Sequence, residues 1–338
     1  MALLEIEQLK IDARKDDGTL VPIVKDVTFN VERGQVVALI GESGSGKTTI
    51  ALSALGYTKP GLEFSAGTVR LDGKDIITMP SEEKRLLRGR RVAYLAQSAA
   101  ATFNPALTIG EQVTESAVQH GQMTKEEAKK RATLLYRELE LPDPGNLGNR
   151  YPHQVSGGQL QRLMAAMALC GSPDLLVLDE PTTALDVTTQ IEVLKAFKAV
   201  IRNEGSAAIY VTHDLSVVAQ IADYIVVLYA GDIQEHGTSE QIINEPKHQY
   251  TQRLMNAVRA TPGNTKAIKN NVEDKITYSA VLDVHDVTAG YGKARDGSSK
   301  ITVLRNVSMS IEKGETFGVI GESGCGKSTL ARVVSGLL

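Results

Sequence analysis

The sequence reads Val36-Val37-Ala38-Leu39-Ile40-Gly41-Glu42-Ser43-Gly44-Ser45-Gly46-Lys47-Thr48-Thr49, an aliphatic run that passes directly into a glycine-rich loop. The loop fits the Walker A pattern G-x-x-x-x-G-K-[ST], in which consecutive backbone N–H groups cradle phosphate oxygens. In this pattern the lysine neutralises phosphate charge and the final hydroxyl meets Mg²⁺. A buried strand, this loop and then a helix N-terminus together predict a phosphate-binding site.

The pattern occurs again near the end of the chain. The second loop reads Gly321-Glu322-Ser323-Gly324-Cys325-Gly326-Lys327-Ser328, with Thr329 after it. The flanking sequence repeats as well, since residues 29–41 align with residues 309–321. Each copy predicts alternating strands, a turn, a buried apolar strand, the loop and a helix. The duplication indicates that the parent molecule uses two nucleotide sites.

A polar segment separates the two copies. Residues 261–278 are turn-rich and aperiodic, which predicts a linker between a first domain over residues 1–260 and the N-terminal part of a second domain over residues 279–338. In that second part the apolar strand and the helix have no further sheet to pack on. Three interpretations stay open: the second domain is truncated, it is completed by another chain, or it is poorly ordered.

The composition predicts a globular chain from a reducing compartment. Hydrophobic residues make up 42% of the 338 residues, and the net charge of −3 argues against a protein built to bind nucleic acid. Cys170 and Cys325 have no metal-ligand spacing and indicate no disulfide framework. The start lacks the features of a signal peptide, and no apolar run approaches the ~20 residues that span a bilayer. We therefore expect a soluble chain that meets a membrane only through a partner.

Further motifs follow the first loop in a fixed order. They are Gln97, Ser156-Gly157-Gly158-Gln159, Asp179-Glu180, Asp186 and His213. Asp179 ends an apolar strand predicted over residues 175–178, at the sheet edge where open α/β folds bind ligands. Ser156 can cap a helix predicted over residues 160–170, and the two glycines let backbone N–H groups approach an anion.

In this order and spacing the motifs resemble the nucleotide-binding domain of ABC transporters. The resemblance covers about residues 3–260 and the opening third of a second such domain. It implies an α/β fold of the P-loop NTPase type, with a RecA-like core, an antiparallel β subdomain and a helical subdomain. ATP and Mg²⁺ are the cofactors that it implies.

The resemblance also implies a role for each motif residue. Glu180 is the general base or the carboxylate that positions water, and His213 contacts the γ-phosphate. Lys47 contacts the β- and γ-phosphates, and Gln97 links the core to the helical subdomain. The implied metal ligands are Thr48, Gln97, Asp179 and Ser328. The implied ATP-binding residues are Gly41 to Thr49, Ser156, Gly157, Gly158, Gln159, Asp186, Tyr291, Gly321, Glu322, Ser323, Gly324, Cys325, Gly326, Lys327, Ser328 and Thr329.

One departure from the family concerns the base of the nucleotide. ABC domains usually stack adenine on an aromatic residue upstream of the loop. Tyr291 has this position in the second copy, but Ala13, beside Arg14, has it in the first. Two alternatives stay open: adenine rests on the Arg14 guanidinium plane, or base contacts are weak. We hypothesise that the first site discriminates poorly between ATP and GTP.

The segment Glu245-Pro246-Lys247-His248-Gln249-Tyr250-Thr251-Gln252-Arg253-Leu254 resembles the tail of the oligopeptide, dipeptide and nickel importer ATPases. Gln249 replaces a proline that is frequent there. The resemblance implies an ATP-hydrolysing subunit that powers import of peptides or a related small solute. Its implied partners are membrane-spanning permease subunits, a second ABC domain and, indirectly, an extracytoplasmic solute-binding protein. The implied location is peripheral, on the cytoplasmic face of the bacterial inner membrane, with no nucleic acid partner.

In this family two domains meet head to tail, so that each ATP lies between one loop and the other domain's signature. The second copy supplies a loop but neither the acidic pair nor the signature, so we expect no complete composite site in a lone chain. A homodimer that pairs the first copies could build two sites. The alternatives are a non-transport ABC ATPase of the translation or repair type, and a non-catalytic regulatory fragment.

Overall fold

The computed structural model describes residues 2–182, 187–259, 280–293, 299–321 and 325–338. The described residues divide into two compact units, one before residue 260 and one after residue 279. The predicted linker, residues 261–278, lies outside the described residues.

The first unit contains ten strands and ten α-helices within the described ranges. The strands are β1 (Ala2–Arg14), β2 (Leu20–Glu32), β3 (Val36–Gly41), β4 (Leu62–Leu71), β5 (Lys74–Asp75), β6 (Val92–Leu95), β7 (Leu175–Asp179), β8 (Ala207–Val211), β9 (Tyr224–Tyr229) and β10 (Asp232–Thr238). The helices are α1 (Lys47–Ser53), α2 (Ser81–Leu87), α3 (Ala99–Thr102), α4 (Ile109–Gln119), α5 (Lys125–Glu138), α6 (Gly157–Leu169), α7 (Val187–Glu204), α8 (Leu215–Ile221), α9 (Ser239–Asn244) and α10 (Gln249–Arg259).

The core of the first unit is a six-stranded sheet with the order β10-β9-β3-β8-β7-β6. The strands from β9 to β6 run parallel, and β10 is antiparallel to β9. Every residue of β3, β7 and β8 is buried, as expected for parallel strands that are covered on both faces. Because parallel strands end at the same sheet edge, the segments after β3, β6, β7 and β8 come together there.

A smaller antiparallel sheet has the order β2-β1-β4-β5. Its inner face packs on the core sheet and on α1, in a cluster that includes Ile6, Val27, Leu39 and Ile50. A second cluster joins the core sheet to α4, α5 and α6 through Val113, Leu135 and Leu163. Helices α4 and α5 each begin with a capping box, whose threonine and glutamate satisfy the exposed N–H groups of the first turn. The predicted core, antiparallel subdomain and helical subdomain are thereby confirmed.

The second unit contains a hairpin of β11 (Ala280–Lys293) and β12 (Ser299–Glu312), followed by α11 (Lys327–Val334). The second copy is predicted to contain a buried strand before its loop, at residues 316–321, which align with β3. This prediction is wrong, because these residues form no strand and Ile320 is 94% exposed. In the first unit β3 pairs with both β8 and β9. The strands described after residue 279 form one two-stranded sheet, β11–β12, which does not include residues 316–321, and the apolar side chains of these residues are exposed.

No helix in the part of the chain that the structure describes is both long enough and apolar enough to cross a membrane.

Candidate nucleotide-binding site

The first glycine-rich loop connects β3 to α1 through backbone conformations that favour glycine. Gly41 has φ +147°, and a Cβ there would lie 2.0 Å from the carbonyl oxygen of Leu228. Gly46 has φ +94° and is the N-cap residue of α1. Both glycines are therefore required for the loop to turn tightly over the end of the sheet.

Lys47, the first residue of α1, points back into the loop. Its Nζ donates hydrogen bonds to the carbonyl oxygens of Gly41 (2.8 Å) and Glu42 (2.7 Å). Burial lowers the pKa of Lys47, and the neighbouring carboxylates of Glu180 and Asp179 oppose that shift only in part. The loop thus holds a partly desolvated ammonium group where a nucleotide's phosphates would bind.

Asp179, the last residue of β7, lies beside the start of α1. Its Oδ1 accepts a hydrogen bond from the hydroxyl of Thr48 at 3.0 Å. Burial raises the pKa of Asp179, and its hydrogen bonds lower it to a smaller extent. The Thr48 hydroxyl and the Asp179 carboxylate are hard oxygen donors, and Mg²⁺ is commonly bound by one or two such groups together with substrate phosphates. The pair therefore fits the metal that the resemblance implies.

Tyr94 is a member of this site that the sequence did not reveal. Its hydroxyl donates a hydrogen bond to Oδ2 of Asp179 at 3.1 Å. Burial, followed by the Asp179 carboxylate, raises the pKa of Tyr94, so the hydroxyl stays protonated as a donor. The available signal was a tyrosine in an otherwise aliphatic strand, three residues before Gln97.

Glu180 lies between two polar side chains from neighbouring strand ends. Its Oε1 is 2.8 Å from Nδ1 of His213, and its Oε2 accepts a hydrogen bond from Nε2 of Gln97 at 3.0 Å. The backbone N–H of Glu180 donates to the carbonyl of Val211, at the end of β8. Glu180 has φ +48°, a conformation that is unfavourable for a non-glycine residue and that occurs often at functional sites. The fold therefore brings together three of the predicted catalytic residues, and Lys47 lies nearby.

A cleft of about 660 Å³ opens beside these groups. It is lined by Ile23, Ser43, Gly44, Gly46, Lys47, Thr48, Thr49, Leu62, Glu180 and His213. Among these lining residues none belongs to the predicted signature Ser156–Gln159. The cleft combines a cationic loop with a carboxylate–histidine pair, an arrangement suited to a phosphate-bearing ligand and an attacking water.

The signature lies on the surface at the start of α6. Ser156 caps the helix by accepting a hydrogen bond from the backbone N–H of Gln159 at 3.3 Å, and Oε1 of Gln159 accepts from the N–H of Ser156 at 3.0 Å. Gly157 is exposed, with open space where a Cβ would stand. The structure thus confirms the predicted cap and leaves the glycine segment accessible.

The remaining predicted site residues lie either in the second unit or outside the residues that the structure describes. Asp186, Glu322, Ser323 and Gly324 lie outside the described residues. In the second unit Nζ of Lys327 donates to the carbonyl of Gly321 at 2.7 Å, as Lys47 does in the first loop.

Tyr291, the predicted base-stacking residue of the second copy, packs close to its own loop helix. Its hydroxyl lies 3.2 Å from Oγ1 of Thr329 and accepts a hydrogen bond from Arg332 at 3.3 Å.

The corresponding position in the first unit offers no aromatic ring. Ala13 lies in β1, where its Cα partner on β4 is Leu62. Nη2 of Arg14 donates to both carboxylate oxygens of Glu63, at 2.8 and 2.9 Å. The apolar side chains that line the cleft are Ile23 and Leu62.

A buried parallel strand, a glycine-rich loop that holds a lysine, and carboxylates at the neighbouring strand end define a P-loop nucleotide-binding domain. The profile of the ABC transporter family matches residues 24–183 and 304–338. The chain belongs to this family.

Similar proteins are ATP-binding proteins of transport systems. The peptidoglycan transport ATP-binding protein YejF of Agrobacterium fabrum is 35% identical over 99% of this chain and 61% of its own length. The glutathione import ATP-binding protein GsiA of Escherichia coli K12 is 34% identical over 98% of this chain and 58% of its own. The oligopeptide transport ATP-binding protein OppD of Bacillus subtilis is 40% identical over 75% of this chain and 71% of its own. The chain thus spans about six tenths of the length of the first two relatives.

Solved structures agree with this assignment. The dimeric ATP-binding cassette MJ0796, in a post-hydrolysis state bound to ADP and Pi, has a TM-score of 0.61 at 26% identity. The match covers 70% of this chain and 98% of the chain of that structure. A non-transport ATPase gains no support from these comparisons.

Proposed function

We propose that this chain binds and hydrolyses ATP to power an importer of peptides or a related small solute. The observation that carries the proposal is the geometry of Glu180, which is held between His213 and Gln97 at a cleft lined by Lys47. The names of relatives that transport peptidoglycan, glutathione and oligopeptides support the solute class.

The residues divide the chemical work between charge neutralisation and orientation of water. Lys47 exchanges its carbonyl partners for the β- and γ-phosphate oxygens of ATP. Thr48, Asp179 and Gln97 would hold Mg²⁺, which neutralises charge on these phosphates when it is bound. Glu180 orients a water molecule and accepts its proton as the water oxygen bonds to the γ-phosphorus and the bond to ADP breaks.

Two neighbours of Glu180 keep its carboxylate directed toward the cleft. His213 contacts one carboxylate oxygen and Gln97 the other, so the orientation of the carboxylate is fixed from both sides. Holding a base in place before the reaction is a large part of catalysis in phosphoryl transfer, where the protein does little covalent chemistry. We infer that His213 also contacts the γ-phosphate once ATP is bound.

The site is completed by a second ABC domain. The accessible Ser156–Gln159 segment, with its glycines at the start of α6, would contact the γ-phosphate of an ATP held by the opposite domain. A homodimer of first units, or a pairing with another ATPase, supplies this arrangement. Closing and opening of the pair would drive permease subunits at the cytoplasmic face of the inner membrane, with solute delivered by an extracytoplasmic binding protein.

The test is ATPase activity together with oligomeric mass, with and without ATP and Mg²⁺, for the wild type and Glu180→Gln. The variant keeps the size and shape of the side chain, replaces one acceptor oxygen by an amide NH₂ donor and removes the base. We expect turnover to fall by about 10²–10⁴-fold, with ATP binding kept and a stable dimer formed on ATP. A variant that hydrolyses ATP as fast as the wild type would overturn the role of Glu180.

A further inference from the structure

The tail segment, residues 245–254, contacts the phosphate loop directly. The hydroxyl of Tyr250 accepts a hydrogen bond from the backbone N–H of Glu42, the second residue of the loop, at 3.3 Å. The ring of Tyr250 lies against that of Tyr229, with centroids 4.7 Å apart. Tyr229 ends β9, which pairs with β3, the strand that carries the loop. The tail tyrosine is therefore seated between the core sheet and the loop.

Glu42 connects the tail to the loop lysine through its two backbone groups. Its N–H donates to Tyr250, and its carbonyl accepts the 2.7 Å hydrogen bond from Nζ of Lys47. The path from the tail hydroxyl to the ammonium group thus passes through a single residue. The N–H of Glu42 also lies in the same planar peptide group as the carbonyl of Gly41, which accepts a hydrogen bond from Nζ of Lys47 at 2.8 Å. A rotation of this Gly41–Glu42 peptide group would therefore move a carbonyl on which the ammonium group rests.

The tail is itself firmly anchored. The carboxylate of Glu235 on β10 accepts hydrogen bonds from the backbone N–H groups of Lys247 (2.8 Å) and His248 (3.0 Å). Partial burial would raise the pKa of Glu235, but these hydrogen bonds hold it below its ordinary value. Farther along α10, Met255 packs in a cluster with Ile40 of β3 and Val227 of β9, against which Tyr250 also packs. The hydroxyl of Tyr250 is therefore presented by a fixed element.

We propose that Tyr250 is a positioning residue for nucleotide binding, which acts by fixing the Gly41–Glu42 peptide group and, through its carbonyl, Lys47. The inference rests on the proposed function of the cleft and adds a role for the tail. A loop that is ordered before the nucleotide arrives loses less conformational freedom on binding. Without the hydroxyl, the Gly41–Glu42 peptide group has more conformational freedom, and the cost of ordering it falls on the binding step.

The test compares Tyr250→Phe with the wild type in the full chain. Titration with ATP and with ADP gives the affinities, and hydrogen exchange of the peptide that covers residues 41–47 reports the loop directly. Because a net hydrogen bond contributes modestly, we expect Kd to rise about three- to tenfold for both nucleotides. We also expect faster exchange of the loop peptide, a similar melting temperature and a nearly unchanged kcat.

Tyr224→Phe is the matched control, because the hydroxyl of Tyr224 is hydrogen-bonded to His236 in the same sheet, outside the cleft lining. It should leave nucleotide affinity and loop exchange as in the wild type. Should Tyr250→Phe lower the melting temperature, Tyr229→Leu carries the test, since it removes the ring that lies against Tyr250 but leaves the Tyr250 hydroxyl in place. It should weaken nucleotide binding in the same direction.

Wild-type affinity and wild-type exchange in Tyr250→Phe would overturn the inference while leaving the proposed function intact. A wild type that binds neither ATP nor ADP would instead overturn the proposed function. The two failures are therefore distinguishable.

Discussion

Asp179 receives two hydroxyl donors from different elements, Thr48 on α1 and Tyr94 on β6. Each donor occupies a different carboxylate oxygen, so the plane of the carboxylate is fixed before any ligand binds. Burial raises the pKa of Asp179, and the hydrogen bonds from these two donors oppose that shift, which favours the charged carboxylate. Tyr94 therefore affects both the orientation and the charge of a residue that would hold Mg²⁺.

Removing the hydroxyl of Tyr94 should change how strongly nucleotide binding depends on Mg²⁺. Tyr94→Phe should weaken ATP binding about three- to tenfold in the presence of Mg²⁺ and leave binding in EDTA unchanged. Titrations of both proteins under both conditions measure this. An equal loss of affinity with and without metal would contradict the role of Tyr94.

The same variant should change the pH dependence. The pKa of Asp179 is raised, and metal binding requires the charged form, so Mg²⁺-dependent affinity should fall as the pH falls. Without the Tyr94 hydroxyl, which lowers this pKa, the fall should begin at a higher pH in Tyr94→Phe than in the wild type. Identical profiles of ATP affinity against pH in Mg²⁺ would show that Tyr94 does not influence Asp179.

The base subsite gives a third prediction for single residues. Arg14 is bound to Glu63 by both carboxylate oxygens, and the apolar side chains that line the cleft, Ile23 and Leu62, are aliphatic. We expect the wild type to bind ATP and GTP with comparable affinity, and Ala13→Tyr to prefer ATP. Ala13→Leu is the control, since it adds apolar volume without a flat ring. A strong preference of the wild type for ATP would contradict the hypothesis.

At the scale of elements, β3 and its loop depend on a close approach to β9. A Cβ on Gly41 would lie 2.0 Å from the carbonyl oxygen of Leu228, a backbone atom that cannot move alone. Gly41→Ala should therefore destabilise the protein by about 2–3 kcal/mol, measured by chemical unfolding. Gly145→Ala, where nothing lies within 4 Å and φ is not positive, should change stability little. Equal stability of the two variants would show that the loop relaxes around the added methyl.

The arrangement of the strands and helices explains which residues of the site could be predicted from the sequence. The positions of Lys47, Asp179, Glu180 and His213 follow from local patterns, because each residue ends a strand, follows a strand within two residues or begins a helix. The contacts of Tyr94 and Tyr250 depend on which strand lies beside β7 and on where α10 packs, and no local pattern encodes these neighbours. Residues 316–321 illustrate the converse, since an apolar run indicates the capacity to form a buried strand but does not supply the strands that bury it.

At the scale of the whole molecule, the two copies of the loop should differ in protection. The amides of β3 are hydrogen-bonded between β8 and β9, whereas residues 316–321 form no strand. Hydrogen exchange should be slow across residues 36–41 and fast across residues 316–321. Comparable slow exchange in both segments would indicate that the second copy acquires strand partners in solution.

Lys47 and Lys327 share one arrangement, in which the ammonium group rests on the carbonyl of the first loop residue. Nucleotide association at such a loop is an exchange of acceptors, with phosphate oxygens replacing peptide oxygens around the same cation. The heat released is then a difference between two sets of charge-assisted hydrogen bonds, not the full strength of either set. Calorimetry on the first site should accordingly record a smaller enthalpy than a count of new phosphate contacts suggests.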